Sequence, residues 1–368
     1  MRSVRAYVGT YTGGESRGIY LLEFDSNSGR FLSDPVLAGE TEHPSFLAFH
    51  PSGRFLYGVN ELKTFEGRPT GAVSAFGIDA ATGRLLFLNQ QPSEGTDPCH
   101  LAVDAAGRNL IVANYSSGTV AVLPLSRDGH LQRASAVRHG SGSGPVRDRQ
   151  EGPHAHMVLL DEAERFVLWA DLGTDRILVD RYDAAAGTLE PNAPDGVGVE
   201  PGSGPRHLAW HPSRRAVYLL NELSSTVSTF RFDAARGTLH EFQTVPARAG
   251  ASHGETIAAE IAVSPGGRFL YASNRGDDDI AVWAIDGATL GLTPAGRVGA
   301  GGHGPRSFAI DPSGRWLVAA NQLSSSLVVF RRDAATGLPS AAGAPIAVPE
   351  PGTASCRRWP ARSSRRSS

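Results

Sequence analysis

Two recurring positions in the 368-residue sequence carry side chains that could exchange protons and bind anions. One is a short segment after a Gly-Pro or similar turn, and the other directly follows a repeated Asn or Asp. The first set contains His43, His100, His154, His156, Arg206, His207, His253, Glu255, His303 and Arg306, and the second contains Glu61, Tyr115, Leu172, Glu222, Arg275 and Gln322. Imidazoles and carboxylates serve as acids and bases, and guanidinium groups bind phosphate or carboxylate. This mixture favours acid–base chemistry on a small anion.

Both positions belong to a repeat of about 50 residues, a period typical of repeat architectures. A turn ending in Arg marks each copy, at residues 50–54, 104–108, 161–165, 211–215, 264–268 and 311–315. Six residues after each Arg stands Asn60, Asn114, Asp171, Asn221, Asn274 or Asn321. We call this the asparagine position and the residue that follows it the exit position. A constant spacing indicates one structural unit that is repeated.

Each copy contains four short runs rich in Val, Phe, Trp and Leu, separated by Gly, Pro, Asn, Asp and Ser, which is the pattern of strands and turns. Four-stranded units at this period build a β-propeller. Six copies are complete, and residues 6–37 supply the second to fourth strands of a seventh. The sequence therefore predicts an all-β fold, a seven-bladed β-propeller of four-stranded antiparallel blades. Its N- and C-terminal strands should close the ring, because an open ring would expose strand edges.

The end of the chain does not show the apolar strand that ring closure calls for. After Ile346–Val348 the sequence becomes polar and basic, GTASCRRWPARSSRRSS from Gly352 onward. This composition is typical of a disordered tail or of a poor closing strand, and a basic arm that touches a partner is the alternative. We therefore expect one propeller domain over residues 1–351 and a Ser- and Arg-rich tail over residues 352–368.

Blade topology places the two chemically interesting positions together. In a four-stranded antiparallel meander, the connection into the first strand and the connection out of the second lie on the same face of the ring. Both sets of side chains should therefore meet at one mouth of the central channel. The longest connection between repeats, residues 139–152, opens on that face and carries Arg147 and Arg149. Such loops often bind ligands, and a tolerated surface insertion is the alternative.

Composition narrows the class of protein. The net charge of −2 argues against general nucleic-acid binding. There is no run of about 18 apolar residues and no apolar stretch in residues 1–9. Cys99 and Cys356 give no disulfide framework, which favours a reducing compartment. We expect a soluble, cytoplasmic protein that binds neither nucleic acid nor membrane and is a monomer or a weak homodimer.

Motifs for other mechanisms are absent from the sequence. It has no G-x-S-x-G elbow, no H-E-x-x-H pair and no phosphate-binding G-x-x-x-x-G-K-[ST] loop. His154 and His156 would point to one side of a strand, but no third ligand stands at a diagnostic spacing, so we expect no metal and no cofactor. Cys99 and His100 are adjacent, and strand alternation would separate them. Acid–base chemistry remains, with water or an internal carboxylate as the nucleophile.

Several motifs together resemble the lactonase family of seven-bladed propellers, which includes bacterial 6-phosphogluconolactonases and fungal 3-carboxy-cis,cis-muconate cyclase. They are GPHAH, GPRHLAWHPS, YLLNE, YASNR and the opening YVGTYT, and the resemblance runs from Ala6 to about Pro349. It implies a His, Arg, Glu, Arg set at the channel mouth. That set falls on His154, with His156 as the alternative, and on Arg206, Glu222 and Arg275. The tail departs from the family, whose chains ordinarily end in the closing strand.

The resemblance implies hydrolysis of a sugar lactone, with 6-phosphoglucono-1,5-lactone of the pentose phosphate route as the expected substrate. Glu222 or a GPHAH histidine would take a proton from water, while Arg206 and Arg275 hold the phosphate or the developing oxyanion. Further substrate-binding residues are expected at His156, His207, Arg306, His100, Glu61 and Arg149, with Glu260 beside them. Two alternatives stay open: cycloisomerisation of a carboxymuconate, whose carboxylates suit the same arginines, and a non-enzymatic scaffold that binds a protein partner.

Overall fold

The computed structural model describes residues 3–248, 250 and 256–358, and the regular elements in this part are all β-strands. They form seven antiparallel sheets. The innermost strands of neighbouring sheets contact one another in order, and the last contacts the first, so the sheets form a closed ring. This confirms the predicted seven-bladed propeller. Since the described residues contain no helix, none of them forms a helix able to span a membrane.

The four strands of each blade follow one another from the channel outward. Blade 1 contains β29 (Pro351–Arg358), β1 (Ser3–Thr10), β2 (Gly18–Asp25) and β3 (Val36–Glu40). Blade 2 contains β4 (Leu47–Phe49), β5 (Phe55–Asn60), β6 (Ala72–Ile78) and β7 (Leu85–Pro92). Blade 3 contains β8 (Pro98–Val103), β9 (Asn109–Asn114), β10 (Thr119–Pro124) and β11 (Ala136–His139). Blade 4 contains β12 (Ala155–Leu160), β13 (Phe166–Asp171), β14 (Arg176–Asp183) and β15 (Thr188–Gly198).

The remaining three blades repeat the same order. Blade 5 contains β16 (Pro205–Trp210), β17 (Ala216–Asn221), β18 (Thr226–Asp233) and β19 (Thr238–Pro246). Blade 6 contains β20 (Ile257–Val263), β21 (Phe269–Arg275), β22 (Asp279–Ile285) and β23 (Leu292–Gly299). Blade 7 contains β24 (Pro305–Ile310), β25 (Trp316–Asn321), β26 (Ser326–Arg332) and β27 (Pro339–Ala341), and β28 (Ile346–Ala347) also pairs with β26.

In four of the six complete repeats, the asparagine position fastens its blade to the end of the one before it, through Asn60, Asn114, Asn274 and Asn321. The side-chain amide of Asn114 donates to the carbonyl of Ser93, just past the outer strand of blade 2, at 2.9 Å. Asn274 donates in the same way to Ala247, just past the outer strand of blade 5, at 2.7 Å. The residues at this position are buried in all six complete repeats: Asn60, Asn114, Asp171, Asn221, Asn274 and Asn321. Their recurrence therefore reflects the architecture of the ring.

A separate apolar core fills each interface between neighbouring blades in the described part of the chain. Between blades 4 and 5, for example, Leu168 and Val179 pack with Val217 and Phe230. The second strand of a blade is covered on both faces, and β9 is buried along its whole length. This is why its sequence is a continuous apolar run without polar alternation.

Ring closure depends on a strand that the sequence presents as a polar tail. Strand β29 pairs antiparallel with β1, with Ala354 opposite Val8. The boundary that the sequence suggested between the propeller and a tail, at residue 352, therefore lies inside strand β29, which continues to Arg358. Residues 359–368 lie outside the described part of the chain. Crowding explains why glycines stand on both strands of this pair. A Cβ on Gly9 would lie 2.0 Å from the carbonyl oxygen of Pro44, and a Cβ on Gly352 would lie 2.7 Å from the carbonyl oxygen of Ser45. Small residues fit this seam, and backbone hydrogen bonds supply the pairing.

We predict that a chain ending at Glu350 loses stability and associates, because strand β1 is left with an unpaired edge. Thermal unfolding followed by circular dichroism should show a lower midpoint, and size-exclusion chromatography should show larger species. A chain ending at Arg358 is the matched control and should behave as the full chain does. Equal unfolding midpoints for the two shortened chains would show that β29 contributes nothing to closure.

Candidate active site

Irregular pairing at the start of the inner strands turns consecutive side chains toward the channel. In blade 5, Pro205 pairs with Asn221 and His207 with Leu220, so Arg206 is an extra residue in the ladder. The same extra residue occurs as Cys99 in blade 3, His156 in blade 4 and Arg306 in blade 7. Such β-bulges re-aim side chains and disturb the usual alternation. In blade 3, the Cys99 sulfur lies 3.3 Å from the carbonyl oxygen of His156, while His100 meets His207 edge-on.

Glu222 is the centre of a cluster of three arginines at the channel mouth. Its carboxylate accepts a hydrogen bond from Nε of Arg206 at 2.8 Å and from Arg149 at 2.6 Å. Arg275 lies 3.0 Å away. These side chains come from the inner-strand bulge of blade 5, from the loop before blade 4 and from the exit position of blade 6. The structure thus brings together four of the predicted site residues from three parts of the chain.

Exposure falls from the outer arginine of this cluster to the inner one. The Arg149 side chain is 36% exposed, that of Arg275 17% and that of Arg206 3%. Burial by itself would raise the pKa of Glu222, but Arg275, Arg206 and Arg149 outweigh it and lower the pKa to about 2. Three guanidinium groups share one carboxylate, so the cluster carries two positive charges in excess. A partly desolvated excess of positive charge is suited to binding an anion.

The Arg149 loop is anchored from below by a buried glutamine. Gln150 donates from its amide to the carbonyl of Leu172 at 2.8 Å and accepts from the backbone of Val146 at 3.1 Å. Gln150 is fully buried. This anchoring fixes the backbone next to Arg149 and explains how a glycine-rich loop can hold an arginine over the channel mouth. Through Arg149 the loop reaches the channel mouth, which is the face predicted for it from the blade topology.

His154 sits beside the cluster with a defined orientation. Its ring stacks on Tyr115 with centroids 4.5 Å apart, and its Nδ1 lies 3.1 Å from the Tyr115 carbonyl oxygen. Because a carbonyl oxygen only accepts, Nδ1 carries a proton. The carboxylate of Glu151 lies 3.2 Å from Nε2. Tyr115 links His154 to the arginines, since its hydroxyl accepts from Arg149 at 3.4 Å.

His156, the other histidine of the GPHAH motif, has different surroundings. Its Nε2 lies 3.9 Å from Glu222 and its Nδ1 lies 3.7 Å from the sulfur of Cys99. Burial, and then the nearby Arg206, hold the pKa of His156 well below its ordinary value. The ring is therefore neutral and is part of the wall beneath the arginines.

A second layer of side chains closes the channel under the cluster. His207 donates from Nδ1 to Glu260 at 2.9 Å, and Ser307 donates to the same carboxylate at 3.3 Å. His100 stacks against Phe46 and meets His207 edge-on. Burial, followed by the charges of His207 and Arg206, lowers the pKa of His100. His100 and His207 are thus near the mouth, as predicted, but make no hydrogen bond to the arginine cluster within the described residues.

The opposite side of the mouth contains Arg306 and Glu61. The guanidinium of Arg306 lies over the ring of Tyr11, 5.2 Å from its centroid. The Tyr11 hydroxyl donates to Glu61 at 2.8 Å, and Ser45 donates to the same oxygen. Beneath Arg306 there is a cavity of about 10 Å³, bounded among others by Arg206 and Glu260. This space is about the size of one water molecule.

Tyr11 is a site residue that the sequence reasoning missed. Thr10 pairs with Pro351 as Asn221 pairs with Pro205, so Thr10 occupies the asparagine position of blade 1. Tyr11 therefore stands at the exit position, equivalent to Glu222. The spacing rule could have found it, but blade 1 lacks the repeated turn arginine from which the rule counts. His253 and Glu255, in the segment that precedes the first strand of blade 6, lie outside the described residues.

No three His, Cys, Asp or Glu side chains in the part that the structure describes are arranged to hold a metal ion. The described residues thus form a seven-bladed propeller with three arginines, a carboxylate and a histidine gathered at the mouth of its channel. Residues 5–356 match the family model described as "Lactonase, 7-bladed beta-propeller", and the chain belongs to this family. The matched range reaches into strand β29.

Similar proteins carry matching descriptions. A 6-phosphogluconolactonase of Bacillus subtilis is 36% identical over 82% of this chain and 83% of its own length. A 6-phosphogluconolactonase of Formosa agariphila is 33% identical over 82% of this chain and 85% of its own length. The structure of a periplasmic gluconolactonase of Pseudomonas aeruginosa superposes with a TM-score of 0.91 at 34% identity, covering 97% of this chain and all of that one.

We predict that Glu222→Gln lowers the free energy of unfolding by about 3–5 kcal/mol at pH 7, because it leaves three buried or partly buried arginines without their carboxylate. The pKa of Glu222 is lowered from 4.5 to about 2. Its ionised form therefore stabilises the fold above about pH 4.5, and this contribution is lost as the pH falls toward 2.

Denaturant unfolding of both proteins between pH 3 and 7 measures this difference. The gap should be widest at neutral pH and should shrink in acid. Glu200→Gln, at an exposed glutamate outside the cluster, is the control and should leave the profile unchanged. A gap that stays constant down to pH 3 would contradict the low pKa.

Proposed function

We propose that this protein hydrolyses 6-phosphoglucono-1,5-lactone to 6-phosphogluconate, a step of the pentose phosphate route. The names of its relatives support lactone hydrolysis. The observation that carries the proposal is the cluster of Arg149, Arg206 and Arg275 on Glu222, with an oriented histidine beside it. Such a cluster favours a substrate that gains negative charge as it reacts, and a lactone under attack by water is a substrate of this kind.

The reaction adds water across the ring ester. A water oxygen forms a bond to the carbonyl carbon, and the carbonyl oxygen becomes an oxyanion. When the tetrahedral intermediate collapses, the bond from that carbon to the ring oxygen breaks, and the ring oxygen takes a proton. Arg206 and Arg275 are held in place by Glu222 before the substrate arrives. Donors that are positioned in advance stabilise the oxyanion without reorganisation, and this stabilisation usually contributes more to such catalysis than any other effect.

The sequence left two candidates for the general base, and the site favours the histidine. A carboxylate with a pKa of about 2 that already accepts hydrogen bonds from two arginines is a weak base. His154 has Nδ1 fixed on a backbone carbonyl, so in the neutral ring the free electron pair lies on Nε2. This nitrogen takes the proton from water once the exposed Glu151 side chain moves aside. Glu151 would then stabilise the imidazolium. Glu222 acts as a positioning residue for the arginines.

We predict that His154→Gln reduces kcat for fresh 6-phosphoglucono-1,5-lactone by about 10² to 10⁴-fold, the usual contribution of a general base. Proton release in weakly buffered solution measures the rate, with the spontaneous hydrolysis subtracted. His156→Gln should cost less, because this ring is a wall residue. His303→Gln, on the same face with a side chain that is 78% exposed, is the control.

An unchanged rate for His154→Gln would remove that residue from the mechanism. A panel that adds unphosphorylated gluconolactone and a carboxymuconate tests the substrate class in the same assay. Turnover of the carboxymuconate alone would overturn the lactonase proposal in favour of cycloisomerisation.

We further propose that the protein is cytoplasmic, acts as a monomer or weak homodimer and takes a small anionic lactone as its partner, with no nucleic acid and no membrane. A net charge of −2 supports the exclusion of nucleic acid. The similar protein of Pseudomonas aeruginosa is described as periplasmic. Cell fractionation therefore decides the compartment, and sedimentation decides the oligomeric state.

A further inference from the structure

The inner arginine of blade 7 lacks the carboxylate that its counterpart in blade 5 possesses. Arg306 and Arg206 are the extra residues of equivalent bulges, since Pro305 pairs with Asn321 as Pro205 pairs with Asn221. The exit residues also correspond. The backbone N–H of Glu222 donates to Gly204 at 2.7 Å, and that of Gln322 donates to Gly304 at 2.9 Å. A neutral amide thus stands in blade 7 where the carboxylate stands in blade 5.

Within the described part of the chain, this difference leaves Arg306 without a carboxylate in direct contact. Arg206 has Glu222 at 2.8 Å. Among the described residues, no carboxylate lies within 4.0 Å of the Arg306 guanidinium, which lies instead against the face of Tyr11. An arginine stays charged at any physiological pH. Burial by itself would lower the pKa of Arg306, but Tyr11 and the charges of Glu61 and Glu222 outweigh it and raise the pKa. A guanidinium with no carboxylate in direct contact keeps its hydrogen-bond donors available to an anion.

The carboxylate on this side of the mouth is already engaged elsewhere. Glu61 accepts from the hydroxyls of Tyr11 and Ser45. Tyr11 therefore touches both charges, with its hydroxyl on Glu61 and its ring under Arg306. A cation over an aromatic face is held in position but not neutralised. Arg306 is oriented and still available to a ligand.

We propose that Arg306 binds the phosphate group of the substrate and so sets a preference for phosphorylated over unphosphorylated lactones. The inference rests on the proposed function. Arg149, Arg206 and Arg275 are gathered on Glu222 at the reacting end of the site. A substrate with a reacting carbonyl at one end and a phosphate at the other needs a second cation across the same mouth, and Arg306 supplies it.

The phosphate must reach Arg306 from the solvent side. The cavity beneath the guanidinium measures about 10 Å³ and has room for one water molecule, far less than a phosphate needs. Arg206 and Arg306 both line this cavity. Arg306 is therefore close enough to the inner arginine of the cluster for one small molecule to contact both.

Gln322→Glu tests the proposal while Arg306 itself is kept. The new carboxylate occupies the position of Glu222 and should pair with Arg306. We expect KM for 6-phosphoglucono-1,5-lactone to rise about tenfold or more, with kcat and the kinetics on glucono-1,5-lactone little changed. Inorganic phosphate should lose potency as a competitive inhibitor in the same proportion. Gln322→Met, which removes the amide without adding charge, is the matched control and should resemble the wild type.

Two further variants keep the outcome decisive. Arg306→Met should abolish the discrimination between the two lactones, and Arg306→Lys should restore part of it. Equal losses on both lactones, or none on either, would overturn the assignment of Arg306. If the wild-type protein hydrolyses neither lactone, the proposed function fails on its own. Stabilisation against heat by 6-phosphogluconate, present in the wild type and absent in Gln322→Glu, would then still support the anion site, and equal stabilisation would reject it.

Discussion

Everything at the channel mouth depends on the pairing of β29 with β1. This antiparallel pair joins the last described residues to the first and makes the seven inner strands a closed circle. The pairing also builds part of the site, because Tyr11 directly follows β1 in blade 1 while Arg306 belongs to blade 7. An arginine and a tyrosine nearly 300 positions apart in the sequence meet across this seam. One set of backbone hydrogen bonds thus closes the ring and brings Arg306 against Tyr11.

A second constraint is that one backbone pattern must serve both architecture and chemistry. The asparagine position is buried and polar in every complete repeat, and in four of them it holds neighbouring blades together. The exit position, one residue later, carries a different side chain in most blades. It provides Glu222 in blade 5, Arg275 in blade 6 and Gln322 in blade 7. A repeated frame can therefore vary its chemistry blade by blade without disturbing its own hydrogen bonds.

The electrostatics of the mouth explain why residues of similar type have different roles. Glu222 is buried among arginines, which keep it ionised and occupy its oxygens. His154 meets a backbone carbonyl at Nδ1 and the Glu151 carboxylate at Nε2, whereas burial and nearby positive charge lower the pKa of His156. The low-dielectric channel amplifies each of these effects. Position relative to the charge cluster, more than residue type, therefore sets the surroundings of each of these side chains.

The sequence by itself determined the strands, their turns, the number of blades and the face on which the site lies, because these follow from local patterns and a constant repeat spacing. It also named most of the side chains at the mouth. Only the tertiary structure showed the bulges that turn Arg206 and His207 toward the channel together, the closing strand hidden in a polar tail, and the unequal partners of Arg206 and Arg306. Those features depend on distances between residues far apart in the chain, and a linear pattern does not encode such distances.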